Sequence, residues 1–278
     1  MTANTPAAPA TTNPNPMGRA LAREERRVPA MGGFSPRLLR IELRRLLRNR
    51  RTVIFTVVMP VVFFLIFGMN EAYADEKVGR GNVSAYIMVG MALYGALIAT
   101  TSGGAIVSIE RAQGWSRQLR LTPLAPVAYV ATKMLLALVM SAAAVLAVNV
   151  VGLASHKPSM PVSTWVLAAL IGWVGSLVFA AFGLFMGYLL PSDNVMQILG
   201  PGLALLAAAG GLFTGPIDDS SLFGQIAQFT PVYGLASLVR APLLGQDVHV
   251  SWVVNVLGWL TVFVVGAAWR FRKDTARV

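Results

Sequence analysis

The sequence of 278 residues contains no cysteine and few charged residues. Without cysteine the chain forms neither disulfide bonds nor thiolate metal sites. Charged residues make up 13% of the chain and hydrophobic residues 55%, whereas an ordinary soluble domain has about 25% charged residues. This balance excludes an ordinary soluble enzyme and a disordered protein, and it predicts a membrane protein.

Catalytic and metal-binding motifs are also missing from the sequence. A Gly-Lys-Ser/Thr phosphate loop is excluded because the four lysines follow Glu76, Thr132, His156 and Arg272. The two histidines, His156 and His249, fall in predicted loops, so we expect no metal site. No ionisable residue lies deep in an apolar run, where proton relays place such groups. We therefore expect no catalytic residue and an energy source outside this chain.

Long apolar runs are what the sequence has instead. A helix needs about 20 apolar residues to cross a bilayer, and six runs approach or exceed that length. They are residues 52–69, 84–109, 134–153, 163–190, 195–217 and 252–269. Only residues 191–194 separate the fourth run from the fifth, which predicts a tight turn. The predicted fold is an all-α membrane protein with a six-span transmembrane domain over residues 52–269.

The basic residues are concentrated beside these runs. Of the 23 Lys and Arg residues, 19 lie in residues 1–51, 110–133 and 269–278. Because cytoplasmic flanks are enriched in Lys and Arg, we predict that both termini are cytoplasmic. Residues 1–33 are rich in Ala, Pro, Thr and Asn and are expected to form a disordered tail, with 270–278 as the cytoplasmic C-terminus. The net charge of +11 thus indicates membrane orientation rather than a nucleic-acid partner.

Residues 34–51 are predicted to form an amphipathic helix at the inner membrane surface. Ser35 is a suitable N-cap, and Pro36 is suited to the first turn. A helical wheel places leucines on one face and arginines on another. The helix either anchors the chain by charge alone or also contacts a cytoplasmic partner. The basic side of the wheel contains Arg37, Arg40, Arg44, Arg48 and Arg51, and the first four are the candidate site residues of this helix.

Residues 218–251 are predicted to form an outer segment that is too long for a simple turn. The segment contains two short apolar stretches around Thr230-Pro231, neither long enough to cross a bilayer. We expect a re-entrant helical hairpin, which must be buried in protein or line a cavity. An amphipathic surface loop is the alternative. The candidate residues of this segment are Phe229, Pro231, Tyr233 and Arg240.

Polar residues within the predicted spans are few. Together with neighbouring Met and Phe they would suit a lipophilic or amphipathic substrate. Small residues such as Gly183-x-x-x-Gly187 and the glycines around Pro201 predict close helix packing, with bending as the alternative. The candidates for lining a pathway are Thr100, Thr101, Ser102, Asn149 and Gln197.

A distinctive polar segment follows the second run. It reads Glu110-Arg111-x-x-Gly114-Trp115-x-x-x-Leu119-x-x-Thr122-Pro123-Leu124. This pattern resembles the signature of ABC-2 type transporter permeases, the membrane subunits of ATP-binding-cassette exporters, including the daunorubicin-resistance type. The resemblance covers roughly residues 34–275, including the basic interfacial helix and the sequence PVYGL at 231–235. One departure is Ala112, where many family members have a second acidic residue.

The resemblance implies a coupling helix at residues 110–121 that docks on a separate ATPase subunit. The interfacial helix would be the family's connecting helix. ATP and Mg would be bound by two copies of the partner ATPase, and this chain would bind no cofactor. A second permease copy, identical or a close paralogue, would complete the pathway within the lipid bilayer. The implied contact residues are Glu110, Arg111, Gly114, Trp115, Arg117 and Leu121.

The expected function is that of a multi-pass permease subunit in the bacterial cytoplasmic membrane. It would export a lipophilic or amphipathic substrate such as a drug, antibiotic or lipid-like molecule, and it would not be an enzyme. Export of a polysaccharide or glycolipid is the alternative, and a nucleotide-independent channel or a membrane-embedded transferase is more remote. Glu110→Lys is expected to uncouple ATP hydrolysis from export without loss of expression.

Overall fold

The computed structural model describes residues 35–114, 126–191, 195–218 and 220–275, most of them helical. The predicted tail at 1–33 and most of the predicted turn at 191–194 lie outside these ranges. The helices are α1 (Pro36–Arg48), α2 (Arg50–Val53), α3 (Met59–Gly68), α4 (Glu71–Asp75), α5 (Val83–Ala112), α6 (Pro126–Ser155), α7 (Val162–Gly175), α8 (Leu177–Leu189), α9 (Val195–Ala209), α10 (Leu222–Ala227), α11 (Tyr233–Leu244) and α12 (Val250–Thr275).

The fold departs from the all-α prediction in one small element. A two-residue antiparallel hairpin pairs β1 (Lys77–Val78) with β2 (Gly81–Asn82) just before α5. The Asn82 side chain then caps α5 by accepting the Ala85 N–H at 2.9 Å. Elsewhere a π-helical turn, Ile54–Val58, joins α2 to α3.

Four helices of the described ranges are long and apolar enough to cross a membrane. They match the second, third, fourth and sixth predicted spans: Val83–Ala112, Ala128–Ser155, Val162–Leu189 and Val250–Phe271. The third of these helices contains α7 and α8, which meet at Ser176. The Ser176 hydroxyl lies 2.9 Å from that of Ser141 on α6, and this hydrogen bond links the junction to α6.

The first and fifth predicted spans are shorter apolar helices, Ile54–Gly68 and Gln197–Ala209. The prediction of one span over 195–217 is wrong at its C-terminal end, because α9 stops at Ala209. Gly211 has a φ of +75°, and its N–H donates to the Ala208 carbonyl while the Leu212 N–H donates to the Ala207 carbonyl. This is the hydrogen-bond pattern of a glycine-terminated helix.

Helix α5 lies at the centre of the bundle. Of its most apolar stretch 83% is buried, against 17% for α12 at the periphery. Helix α8 approaches α5 closely because glycines face each other: a Cβ on Gly183 would lie 2.1 Å from the Thr101 carbonyl oxygen, and one on Gly104 would lie 2.3 Å from that of Ala180. The predicted close packing through Gly183 is confirmed.

The two ends of the bundle are chemically different. At one end, Arg111 of α5 lies 5.2 Å from the ring of Tyr188 on α8, which contacts Phe271 of α12. The opposite end carries the β-hairpin and an ion pair between Lys157 and Glu71. The C-terminal ends of α5, α8 and α12 therefore lie together.

The outer segment forms two short helices, α10 and α11, with the predicted break at Thr230–Pro231 between them. Helix α11 is largely buried against α7, α12 and α5. The amide of Asn255 on α12 fastens the break by donating to the carbonyl oxygens of Gln228 and Thr230, at 2.7 and 3.1 Å. Helix α10 instead exposes its apolar side chains, including 76% of Leu222.

Candidate functional site

A chain of ion pairs lies at the end of the bundle where α5 finishes. Lys133 Nζ on α6 lies 2.6 Å from Glu110 Oε1 on α5 and 3.0 Å from Glu42 Oε2 on α1. Arg45 of α1 lies 3.9 Å from Glu42 Oε1. Two carboxylates thus meet two cations, and the group is balanced in charge. We call these four residues the ion-pair chain.

The centre of the ion-pair chain is closed to water. Glu110 is 3% exposed and Lys133 is 4% exposed. Tyr129, one turn before Lys133 on α6, donates its hydroxyl to Glu110 Oε2. Both carboxylate oxygens of Glu110 are therefore occupied, which buried charges require because desolvation is costly.

The local sequence explains how three separate helices supply these groups. Glu42 is the one acidic residue in 36–51, and Lys133 is the one charged residue in 126–155. On α1, Glu42 shares a half-buried stripe with Leu39, Leu43 and Leu46, at helical spacing. That stripe faces the bundle, so the carboxylate reaches Lys133. The ion-pair chain fastens α1, α5 and α6 to one another.

Arg111 and Gly114 continue from this site toward the predicted coupling helix. The Arg111 guanidinium donates to the carbonyl oxygens of Gly187 and Tyr188 at 3.4 Å, where the C-terminal end of α8 favours a cation. Gly114 has a φ of +72°, and among the described residues no atom lies within 4 Å of a Cβ built on it. The chain leaves α5 at this turn.

These positions correct the predicted coupling helix at its start. Residues 110–112 form the last turn of α5 rather than a separate helix. Glu110 is turned into the protein and bonded to Lys133 and Tyr129, so in this structure its carboxylate is not a surface contact. Arg111 and Gly114 lie at the half-buried edge of the site. Trp115, Arg117 and Leu121 lie outside the described residues.

Helix α1 matches the prediction for an amphipathic helix. The Ser35 hydroxyl accepts the Arg37 N–H at 3.3 Å, and Pro36 is the first helical residue. The predicted cap is therefore confirmed. Four of the arginines predicted for one face are exposed: Arg37, Arg40, Arg44 and Arg48.

A second buried cation, Arg240 of α11, lies toward the opposite end of α5. Its guanidinium donates to the carbonyl oxygens of Gly211 and Leu212 at 2.9 and 2.6 Å, just beyond α9. It also lies 4.2 Å from the centre of the Tyr86 ring on α5. Arg240 thus joins three elements, whereas the sequence placed it in an outer loop. No spacing in the sequence signals its pairing with residues 211–212.

The other candidates of the outer segment surround this contact. Pro231 and Tyr233 are buried at the start of α11. Phe229 is 79% exposed, and its carbonyl oxygen accepts the indole N–H of Trp259 at 3.2 Å. These contacts fix the segment against α12.

The five pathway candidates lie in different environments. Thr100 and Thr101 are buried, and the Thr100 hydroxyl donates to its own helix at Ala96. Ser102 is half-buried and Gln197 is exposed. Asn149 lines a small cleft between α5, α6, α7 and α11, which the other four do not line. Among the described residues no cluster of three or more His, Asp or Glu could hold a metal ion.

Comparison with known proteins places this architecture in a family. The sequence model of the ABC-2 type transporter matches residues 37–244. The chain belongs to the ABC-2 type transporter family. It is also 23% identical over 243 residues to "Putative transport permease YvfS" of Bacillus subtilis (strain 168), across 84% of this chain and 96% of that protein. The match with the family begins in α1 and ends at the last residue of α11.

As an ABC-2 permease the chain is a transport subunit rather than a catalytic enzyme. The matched region contains the complete ion-pair chain and Arg240. Sequence reasoning found Glu110 in this permease but missed Glu42, Tyr129 and Lys133. Two signals were present, because a lone acid among arginines and a lone lysine in an apolar helix each require a partner.

Proposed function

We propose that this ABC-2 permease is the transmembrane subunit of an ATP-driven exporter for a lipophilic or amphipathic substrate. ATP and Mg bind to a separate ABC ATPase present in two copies, a partner that the family implies in general terms. A second permease, identical or a close paralogue, completes the pathway. The observation that carries the proposal is the ion-pair chain, which joins the end of α5 to α1 and α6. Residues 113–125 follow α5 directly, and we call them the coupling segment.

The direction of the chain supports six crossings. Helix α1 and the C-terminal ends of α5, α8 and α12 share one end of the bundle. Since α5 and α12 each begin at the other end, the chain must cross once between α1 and α5 and once between α8 and α12. The segment from Arg50 to Gly68 and helix α9 supply these two crossings. In this topology α10 and α11 form the re-entrant hairpin.

The charge distribution supports the orientation. The ion-pair end carries the five arginines of α1 together with Arg111, Lys133 and Arg270, whereas Lys77, Arg80 and Lys157 lie toward the opposite end. By the preference for basic cytoplasmic flanks, this end faces the cytoplasm, with both termini on that side of a bacterial cytoplasmic membrane. An ATPase in the cytoplasm then reaches residues 113–125 directly.

In this mechanism the coupling segment transmits the ATPase movement to three helices at once. Glu110 and Lys133 hold α5 to α6, and Lys133 and Glu42 hold α6 to α1. A push on the segment therefore moves these helices as a unit rather than bending the end of α5 alone. ATP drives transport only through a difference in binding between the two conformations.

The proposed substrate class is based on the lack of charged residues along most of the length of the long helices. In the four long helices of the described chain, charged residues lie near the ion-pair end: Glu110, Arg111, Lys133 and Arg270, with 272–274 beyond them. The remaining surface of these helices is apolar with few hydroxyl and amide groups. A lipophilic or amphipathic molecule fits such a surface better than a charged polysaccharide. Transport of a charged hydrophilic substrate, without any lipophile, would contradict this assignment.

Gly114→Ala tests the coupling role without a clash among the described residues. The new methyl group lies more than 4 Å from every described atom outside the adjacent chain, but a φ of +72° disfavours alanine by about 1–2 kcal/mol. We expect normal expression, with about tenfold less ABC ATPase copurifying in mild detergent and a matching loss of ATP-dependent export. Gly258→Ala is the control, because it also adds a methyl group in open space but without a positive φ. Equal ATPase recovery with both variants would refute the coupling role.

A further inference from the structure

The outward face of α1 carries positive charge that the described chain does not neutralise. Arg37, Arg40, Arg44 and Arg48 are exposed. Among the described residues, no carboxylate lies within 4.0 Å of any of these four guanidinium groups. The carboxylate of Glu42 points the other way, to Lys133. We call these four arginines the basic face.

Two segments outside the described residues also have a positive net charge. Residues 1–34 contain four arginines and two glutamates, and residues 115–125 contain two arginines and no acid. By net charge, neither segment neutralises the basic face. A face of this kind attracts an anion from outside the chain.

The surroundings of the basic face favour a membrane surface as the source of that anion. Ile41 lies among the arginines and is 66% exposed, and Leu47 at the edge of the face is 54% exposed. Helix α2 begins at Arg50, with only Asn49 between it and the end of α1, and leads into the apolar helix Ile54–Gly68. This connection keeps α1 at the membrane boundary, where arginines bury their stems and reach phosphate groups.

We propose that the basic face of α1 binds the phosphate headgroups of anionic phospholipids and that these lipids set the position of the ion-pair chain. Lipid holds the outer side of α1, while Glu42 on its inner side bonds to Lys133. A change in anionic lipid content therefore affects Glu110 through two ion pairs, Glu42–Lys133 and Lys133–Glu110. The proposal rests on the proposed function only in placing this face at the cytoplasmic leaflet.

The test uses the absence of native cysteine to place one fluorophore beside the basic face. Leu47→Cys is labelled, and the full chain is reconstituted in phosphatidylcholine vesicles containing spin-labelled phosphatidylglycerol or spin-labelled phosphatidylcholine as quencher. We expect spin-labelled phosphatidylglycerol to quench the fluorescence at a lower mole fraction than spin-labelled phosphatidylcholine does. In the double variant Arg40→Gln/Arg44→Gln, the preference for phosphatidylglycerol should weaken about fivefold for each arginine removed.

Lys77→Gln/Arg80→Gln is the matched control, because it removes two exposed charges at the other end of the bundle. It should leave the preference at Leu47→Cys unchanged. Equal quenching by the two lipids, or a preference that persists without Arg40 and Arg44, would overturn the proposal. Loss of ATPase copurification in Arg40→Gln/Arg44→Gln with unchanged lipid preference would assign the face to a protein partner instead. The quenching experiment needs no ATPase, so its failure is distinct from failure of the proposed function.

Discussion

Glu110 uses both carboxylate oxygens inside the protein, one for Lys133 and one for Tyr129. The earlier expectation that Glu110→Lys leaves expression intact does not fit this geometry. The substitution would set a second cation against Lys133 in a site that excludes water. Breaking a buried ion pair in this way costs about 3–5 kcal/mol, so we expect Glu110→Lys to accumulate poorly. Loss of export in that variant would then report misfolding rather than uncoupling.

Lys133→Met tests the ion-pair chain more cleanly. It keeps the apolar stem but leaves Glu110 and Glu42 without their shared cation, so we expect a loss of about 3–5 kcal/mol and a lower melting temperature in detergent. Arg45→Met is the control, because its pair with Glu42 spans 3.9 Å and the arginine side chain is 55% exposed. Exposed pairs contribute about 0.2–1 kcal/mol. Similar melting temperatures for the two variants would contradict the assigned role of Lys133.

At the scale of elements, the contact between α5 and α8 depends on glycine. Gly183→Ala would bring a Cβ to 2.1 Å from a backbone oxygen that has no freedom to rotate away, so the two helices must separate. We expect a clearly lower melting temperature than for the native chain. In Gly187→Ala, on the same face, the new Cβ would lie 3.2 Å from its nearest atom, the Ala105 carbonyl oxygen. This variant should therefore lower the melting temperature less. An unchanged melting temperature for Gly183→Ala would show that the helices do not pack this closely.

The elements also show what the sequence can predict. Apolar runs predicted the four long helices, and Ser35 with Pro36 predicted the start of α1, because both signals are local. The end of α9 was missed because Gly210-Gly211 suits helix packing as well as helix termination. The partners of Glu110 and Arg240 were missed for another reason. Glu110 and Lys133 are 23 residues apart, and Arg240 and Gly211 are 29 apart, so only the fold brings them together.

For the molecule as a whole, the proposed mechanism works only if the ion-pair end of the bundle faces the cytoplasm. Only from that side does a cytoplasmic ATPase reach the segment after Gly114, and only there does the basic face meet the inner leaflet. Arg48 marks this end and Lys77 marks the other, and both side chains are exposed. The orientation is therefore open to direct measurement.

The deciding measurement is the accessibility of single cysteines, each introduced into the otherwise cysteine-free chain. Cells or spheroplasts producing Lys77→Cys or Arg48→Cys are treated with a membrane-impermeant maleimide, before and after permeabilisation. We predict labelling of Lys77→Cys in intact cells and of Arg48→Cys only after permeabilisation. The opposite pattern would place the ion-pair chain outside, beyond the reach of an ATPase, and would contradict the account.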